Sequence, residues 1–209
     1  MTAGFQASLL DLGEEPGTGP LGTTVRRTHL SGGAWIDLRP GWLTGADALF
    51  DRLSRDVPWH AERRHMYDRM VDVPRLLKFY DEEEPLPDPV LHEAMRALNT
   101  HYAGQAGHPF RTAGLCLYRD GRDSVAWHGD RIGRGADEDT MVAIISIGTP
   151  RPLLLRPRGG GHSLRHDLGH GDLIVMGGSC QRTWDHSIPK LSRPTGPRIS
   201  VQFRPRGVR

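Results

Sequence analysis

Two copies of His-Gly-Asp stand in this chain, one in "VAWHGDRIG" (His128, Asp130) and one in "LGHGDLIVMGG" (His170, Asp172). Residues two apart on a β-strand project to one face, so either pair could offer an imidazole and a carboxylate to a single metal ion. With a second histidine, that set is the two-His-one-carboxylate arrangement, which binds Fe(II) and leaves coordination positions open. Among 209 residues with 11 His and 17 Asp, about one His-x-Asp pair arises by chance, so the surroundings must choose.

The second pair lies between Gly169 and Gly171 and runs straight into the apolar "LIVMGG". Glycines around a polar residue before a buried strand mark a tight turn, a poor frame for ligands, so His170 and Asp172 are expected to be structural. The first pair follows "SVAW" on a strand, and alternation places Trp127 in the core. His186 follows 56 residues after Asp130 in "TWDHSIPK", and an interval of about four strands could return it across a barrel to His128. Twelve residues beyond His186 is Arg198, and six further is Arg204, in "GPRISVQFRP". An even spacing puts both arginines on one strand face with backbones ~20 Å apart. Their side chains, leaning together, could clamp a five-carbon dicarboxylate bidentately.

Such residues need a stiff β frame, and the second half of the chain supplies one. "RTAGLCLYRDGRDSVAWH" is expected as a hairpin turning at "RDGRD"; "TMVAIISIG", "RPLLLRPR", "GDLIVMGG", "TWDHSIP" and "PRISVQFRP" follow as short strands. Short strands without intervening helices predict a mainly β fold, a double-stranded β-helix or jelly roll, with flanking helices. "TGADALFDRLSRDV" reads as a helix with Thr44 near its N-cap. "PDPVLHEAMRALNTHY" reads as another, capped by Asp88, opened by Pro89, with Leu91, Ala94, Met95 and Leu98 as its apolar stripe. The expected organisation is a flexible arm over residues 1–22, a lobe of buttressing helices and a lid over 23–110, and the jelly-roll core over 111–209.

No run approaches 18 apolar residues, and the N-terminus has neither the basic nor the apolar region of a signal peptide. Two cysteines outside any Cys-x-x-Cys pattern argue against a disulfide scaffold, so a cytoplasmic location is expected. Net charge is +2, but residues 1–110 sum to −5 and residues 111–209 to +7, a balance in the second half that suits phosphate.

Together, "WHGD", "TWDHSIPK" and "GPRISVQFR" resemble the AlkB family of iron(II)/2-oxoglutarate-dependent dioxygenases. "GDLIVMGG", "CLY", and "MYDRMVDVPRLLKFYDEEEPLP", which is similar to the family's substrate lid, extend the resemblance over residues 55–206. It implies that His128, Asp130 and His186 bind Fe(II), that Arg198 and Arg204 hold 2-oxoglutarate, and that the Tyr118 hydroxyl reaches it. With O2, such an enzyme hydroxylates an N-alkyl carbon, and the product collapses to an aldehyde and a repaired base. The implied partner is alkylated DNA or RNA, preferably single-stranded, bound by a monomer with no membrane.

Two positions depart from the family pattern: Cys116 stands where the family has an asparagine, and Ile132 where many members have an acid that meets the exocyclic nitrogen of the damaged base. Candidate substrate contacts are Tyr80, stacking on a flipped base, with Lys78, Arg131, Arg156 and Arg158 toward phosphate. The alternatives are a 2-oxoglutarate-dependent hydroxylase of a small molecule or protein side chain, and a non-catalytic jelly-roll binding module, which need not keep all five residues.

Overall fold

The structure is a computed structural model describing residues 14–66, 69–105 and 107–208, with the backbone alone over 64–66 and 69–72. Its elements run β1 (Gly17–Thr18), β2 (Arg26–His29), β3 (Ala34–Arg39), β4 (Leu43–Thr44), α1 (Ala46–Asp56), β5 (His60–Met66), β6 (Arg69–Tyr80), α2 (Pro89–His101) and β7 (Phe110–Tyr118). They continue with β8 (Val125–His128), β9 (Val142–Gly148), β10 (Arg151–Pro157), β11 (Leu164–Leu168), β12 (Asp172–Gly178), α3 (Cys180–Thr183), β13 (Trp184–Ile188) and β14 (Arg198–Pro205).

Eight strands make a major sheet, ordered β2-β3-β12-β9-β14-β7-β6-β5, and four a minor sheet, β11-β10-β13-β8. Neighbouring strands within both sheets are antiparallel. Alternation then assigns faces. Val142, Ile144, Ile174 and Met176 of the major sheet meet Leu153, Leu155 and Ile188 of the minor one, closing the jelly roll. Ala143, Ile145, Ile147, Val201 and Phe203 point the other way, against Leu49, Phe50 and Leu53 of α1 and Leu91, Ala94 and Leu98 of α2. β9 is therefore covered on both faces, which is why it reads as a continuous apolar run. Each such fully buried aliphatic side chain contributes about 1.5–3 kcal/mol relative to exposure.

α2 forms as expected: the Asp88 carboxylate accepts from Val90 N–H and Pro89 opens the helix. α1 starts from Gly45, because Thr44 is already paired with Gly17. That pairing also corrects the expected arm. Residues 1–13 lie outside the described residues, but Gly17–Thr18 form a strand and Leu21 is buried. The segment similar to the family's lid, residues 66–87, is for the most part β6 and the loop after it; β6 pairs with β5 on one side and β7 on the other.

The hairpin expected over 111–128 does not form. β7 lies between β14 and β6 in the major sheet, and β8 is the edge of the minor sheet. The turn between them crosses from sheet to sheet, held by the buried Asp123 carboxylate, which accepts from Arg119 N–H and its guanidinium. Fully buried Arg151 braces the same end, donating to the carbonyls of Asp120, Asp123 and Pro189 at 2.8–3.0 Å. Among the described residues no helix is long and apolar enough to cross a membrane.

Candidate metal centre and co-substrate pocket

β8 and β13 pair so that His128 stands opposite His186, with ring centroids 4.2 Å apart. Between the pairs His128–His186 and Val125–Ile188 the register shifts, because β8 spends three residues where β13 spends two. This bulge turns both Val125 and His128 into the barrel, where they line one cavity. Trp127, on the opposite face from His128, is not in the core as expected: α1 and α2 pack against the major sheet, and Trp127 lies half-buried on the minor one, with the Arg156 guanidinium 4.2 Å over its ring.

The loop after β8 brings Asp130 beside both histidines, and one ligand atom from each of the three residues lies within 4.8 Å of the others. His128 Nδ1 donates to the Ala126 carbonyl (2.9 Å), which leaves Nε2 as the free lone pair. Asp130 N–H donates to Gln181 Oε1 (2.9 Å), and Arg204 Nε donates to Asp130 Oδ2 (2.6 Å). Burial alone would raise the Asp130 pKa, but the charges of Arg204, His186 and His128 hold the carboxyl well below its ordinary range. Burial, reinforced by His128, pushes His186 down to about 3, so it stays the neutral imidazole that ligation requires. Gly129 is needed between the ligands: a Cβ there would sit 2.5 Å from the Gln181 carbonyl oxygen.

The second His-Gly-Asp serves the frame. Gly171 has φ +79° and approaches Leu43 O; His170 Nδ1 accepts from Gly148 N–H (2.8 Å), with Nε2 facing Asp47 at 3.2 Å. The Asp172 carboxylate caps Gly41 N–H and Gly169 N–H. The imidazole and carboxylate of this turn thus face β9, α1, Gly41 and the turn's own backbone.

Behind the metal cluster the cavity is walled by Ile144, Leu153 and Ile188 and faced by Arg75, Arg198 and Arg204. Arg198 is 1% exposed; its Nε donates to Ser146 Oγ (2.8 Å), while its buried Nη1 has no partner. Such a group is costly unless an anion arrives, so the pocket is built for a carboxylate. The Tyr118 ring lies 5.2 Å from the same guanidinium, and burial, with Cys116, pushes its hydroxyl up to about 12, keeping it a donor. Fe(II) and 2-oxoglutarate both fit these residues, since the donor set suits the metal and the orphaned guanidinium suits a carboxylate.

Sequence reading missed three residues here. Gln181 is a neutral amide without motif spacing; Gln202 shares the arginines' strand face but carries no charge to mark it; and Arg75, in the lid-like "PRL", faces the cavity and donates to the Ser124 carbonyl (3.1 Å).

The expected substrate contacts are scattered. Tyr80 is 4% exposed and packs in the helix-side core, so it cannot stack on a base; the residue on the other face, sharing the side of Arg75 and Leu77, is Phe79. Lys78 Nζ lies 4.6 Å over the Tyr80 ring and pairs with Glu84. Arg131 is bound to Asp185 (2.7 Å), the neighbour of His186. Arg158 is exposed at the end of β10, its N–H bonded to Thr183 O.

Comparison with known proteins follows the same lines. Residues 59–204 match the 2OG-Fe(II) oxygenase superfamily. Alpha-ketoglutarate-dependent dioxygenase alkB homolog 3 of Bos taurus is 31% identical over 201 residues, covering 83% of this chain and 68% of its own length. DNA oxidative demethylase ALKBH2 of Homo sapiens is 25% identical over 84% of this chain and 78% of its own. The solved structure of OsALKBH1 superposes with a TM-score of 0.57 at 14% identity, over 86% of this chain and 100% of that one, a likeness of fold alone. Sequence, fold and pocket agree, and the chain belongs to the AlkB family of Fe(II)/2-oxoglutarate-dependent dioxygenases, whose co-reactant is O2.

Proposed function

We propose that this enzyme oxidatively dealkylates N-alkylated bases in nucleic acid, preferring single strands. The observation that carries the reading is the similarity, over 84% of the chain, to an enzyme named as a DNA oxidative demethylase. Bound iron and 2-oxoglutarate supply the oxidising power to hydroxylate a carbon attached to nitrogen; the hemiaminal then falls apart to an aldehyde and the free base.

The chain's own residues do the holding. His128, Asp130 and His186 bind the metal, and Arg204 keeps Asp130 ionised. Arg198 and Tyr118 take the far carboxylate of 2-oxoglutarate, while Ile144, Leu153 and Ile188 exclude water around it. Arg131 and Arg156 lie beside the ligand-bearing strands and Arg158 beyond them, where a phosphate chain could run. Phe79, on the Arg75 side of β6 by alternation, is the candidate aromatic to meet a base. A single strand avoids the cost of unpairing, which favours it as substrate. Ile132 and Leu164 are the exposed large apolar residues among those described, a surface that suits a monomer. Free Cys116 and Cys180 suit the cytoplasm.

The test is mass spectrometry of methylated oligonucleotides incubated with enzyme, Fe(II), 2-oxoglutarate and O2. Loss of methyl groups with formaldehyde release is expected. Turnover of 2-oxoglutarate without demethylation of any lesion would instead favour a small-molecule or protein substrate.

A further inference from the structure

Four polar side chains of β14 alternate along one face: Arg198, Ser200, Gln202 and Arg204 all line the cavity. The arginines divide its ends. Arg198 lies at the Tyr118 end, whereas Arg204 is engaged with Asp130. Gln202 stands between, and its contacts fix which way its amide points. Arg204 can only donate, so the oxygen of Gln202 must face it, and Arg204 Nη2 lies 2.8 Å from Gln202 Oε1. The amide nitrogen is thereby turned inward, toward Ser200 Oγ at 2.6 Å and Cys116 Sγ at 3.3 Å.

Those two acceptors are unequal. The hydroxyl of Ser200 is a good one; a thiol sulfur is a weak one, and a carboxylate oxygen would replace it with about twice the strength of a neutral hydrogen bond. Cys116 therefore holds one Gln202 N–H loosely, in a cavity where the buried Arg198 Nη1 also lacks a partner.

We propose that Gln202 binds 2-oxoglutarate directly, its amide N–H leaving Cys116 to donate to the carboxylate at the Arg204 end of the pocket. The same amide, through Oε1, also accepts from Arg204 Nη2, while Arg204 holds Asp130 independently through Nε. This assignment rests on reading the cavity as the 2-oxoglutarate pocket.

The experiment is anaerobic calorimetry of 2-oxoglutarate binding to the Mn(II)-loaded protein, which needs no turnover. Gln202→Leu should weaken 2-oxoglutarate by about ten- to a hundredfold, as expected for losing a hydrogen bond to a charged group, with Mn(II) affinity retained within about threefold. Gln202→Glu keeps the shape and the acceptor for Arg204 but sets a like charge against the ligand; it should weaken binding at least as much, and it guards against a Leu variant that folds poorly. Cys116→Asn, placing an amide where the sulfur now lies, should restore most of the affinity lost in Gln202→Leu. Undiminished 2-oxoglutarate affinity in both Gln202 variants overturns the assignment while the pocket reading stands, provided Arg198→Ala loses binding. A wild type that binds Mn(II) but not 2-oxoglutarate overturns both. Parallel losses of Mn(II) and 2-oxoglutarate in Gln202→Glu would reduce Gln202 to a support for Arg204.

Discussion

Arg204 and Asp130 are 74 residues apart in sequence, and Arg204 Nε lies 2.6 Å from Asp130 Oδ2. β14 of the major sheet thus reaches across the barrel to hold the candidate metal-binding carboxylate on the loop after the minor sheet's edge strand. Neither sheet completes the candidate centre alone, because the His-Asp-His cluster belongs to one and its electrostatic support to the other.

The two His-Gly-Asp copies should separate cleanly under mutation. Asp130→Ala is expected to lose on the order of a hundredfold or more in metal affinity and all turnover. His170→Ala should keep both but lower stability by about 1–3 kcal/mol, because Gly148 N–H loses its buried acceptor. Metal titration and urea unfolding of the two variants check this, and a reversal of the pattern would falsify the choice between the copies.

Arg198→Ala should raise the concentration of 2-oxoglutarate needed for half-saturation by at least about tenfold, since a desolvated carboxylate loses its charged partner. Metal affinity should change little. Steady-state kinetics against 2-oxoglutarate, with metal binding measured separately, would show it; unchanged saturation would remove Arg198 from the site.

Stability of the metal-free protein should fall as pH is lowered. His186 is held near 3 when folded against an ordinary 6.5, so the unfolded chain takes up its proton first. Its contribution is fully present above 6.5 and is lost as pH falls toward 3, with a slope approaching 1.4 kcal/mol per pH unit. Asp130, also depressed, adds loss in the same direction below about 4. Unfolding free energies from pH 7.5 to 4 should therefore fall in the wild type and flatten in His186→Gln; identical slopes in the two would contradict the assignment.

Base preference should respond at position 132. Ile132 is 70% exposed on the loop beyond Asp130 and cannot accept a hydrogen bond from an exocyclic amine. Wild type should therefore discriminate weakly among alkylated bases, and Ile132→Asp should shift it toward methylated adenine and cytosine by several-fold. A lesion panel at fixed salt makes the comparison, fixed because binding to phosphates falls steeply as salt rises.

Spacing, type and the family resemblance singled out His128, Asp130, His186 and Arg198, and the structure gathers the first three into one cluster and lines the adjoining cavity with the fourth. Strand existence was legible in the second half of the chain, where "VAIISIG" can only be buried, but not in the first. There β2, β3, β5 and β6, four of the eight strands of the major sheet, lie in the lobe expected to hold helices and a lid. Which sheet a strand joins was not legible, because alternation constrains faces and says nothing of partners; hence the false hairpin over 111–128. Faces failed where the covering helices decide which side is core. Trp127 was misplaced because α1 and α2 pack against the major sheet and not against its own, and Tyr80 because those helices bury the outer side of β6. Arg151 looked like one more basic residue, yet it is spent on three backbone carbonyls.

The bulge in β8 makes the centre sensitive to length in a way that ordinary substitution scans do not probe. Because one additional residue between Val125 and His128 reverses the facing of everything after it, deleting Ala126 would swing the histidine to the outside of the barrel while leaving every ligand present in the sequence. A chain shortened by that single codon would still carry the complete motif and would be unable to assemble it. Catalysis here is written partly in counting, and a motif search that ignores the phase of β8 would mistake such a chain for an active enzyme.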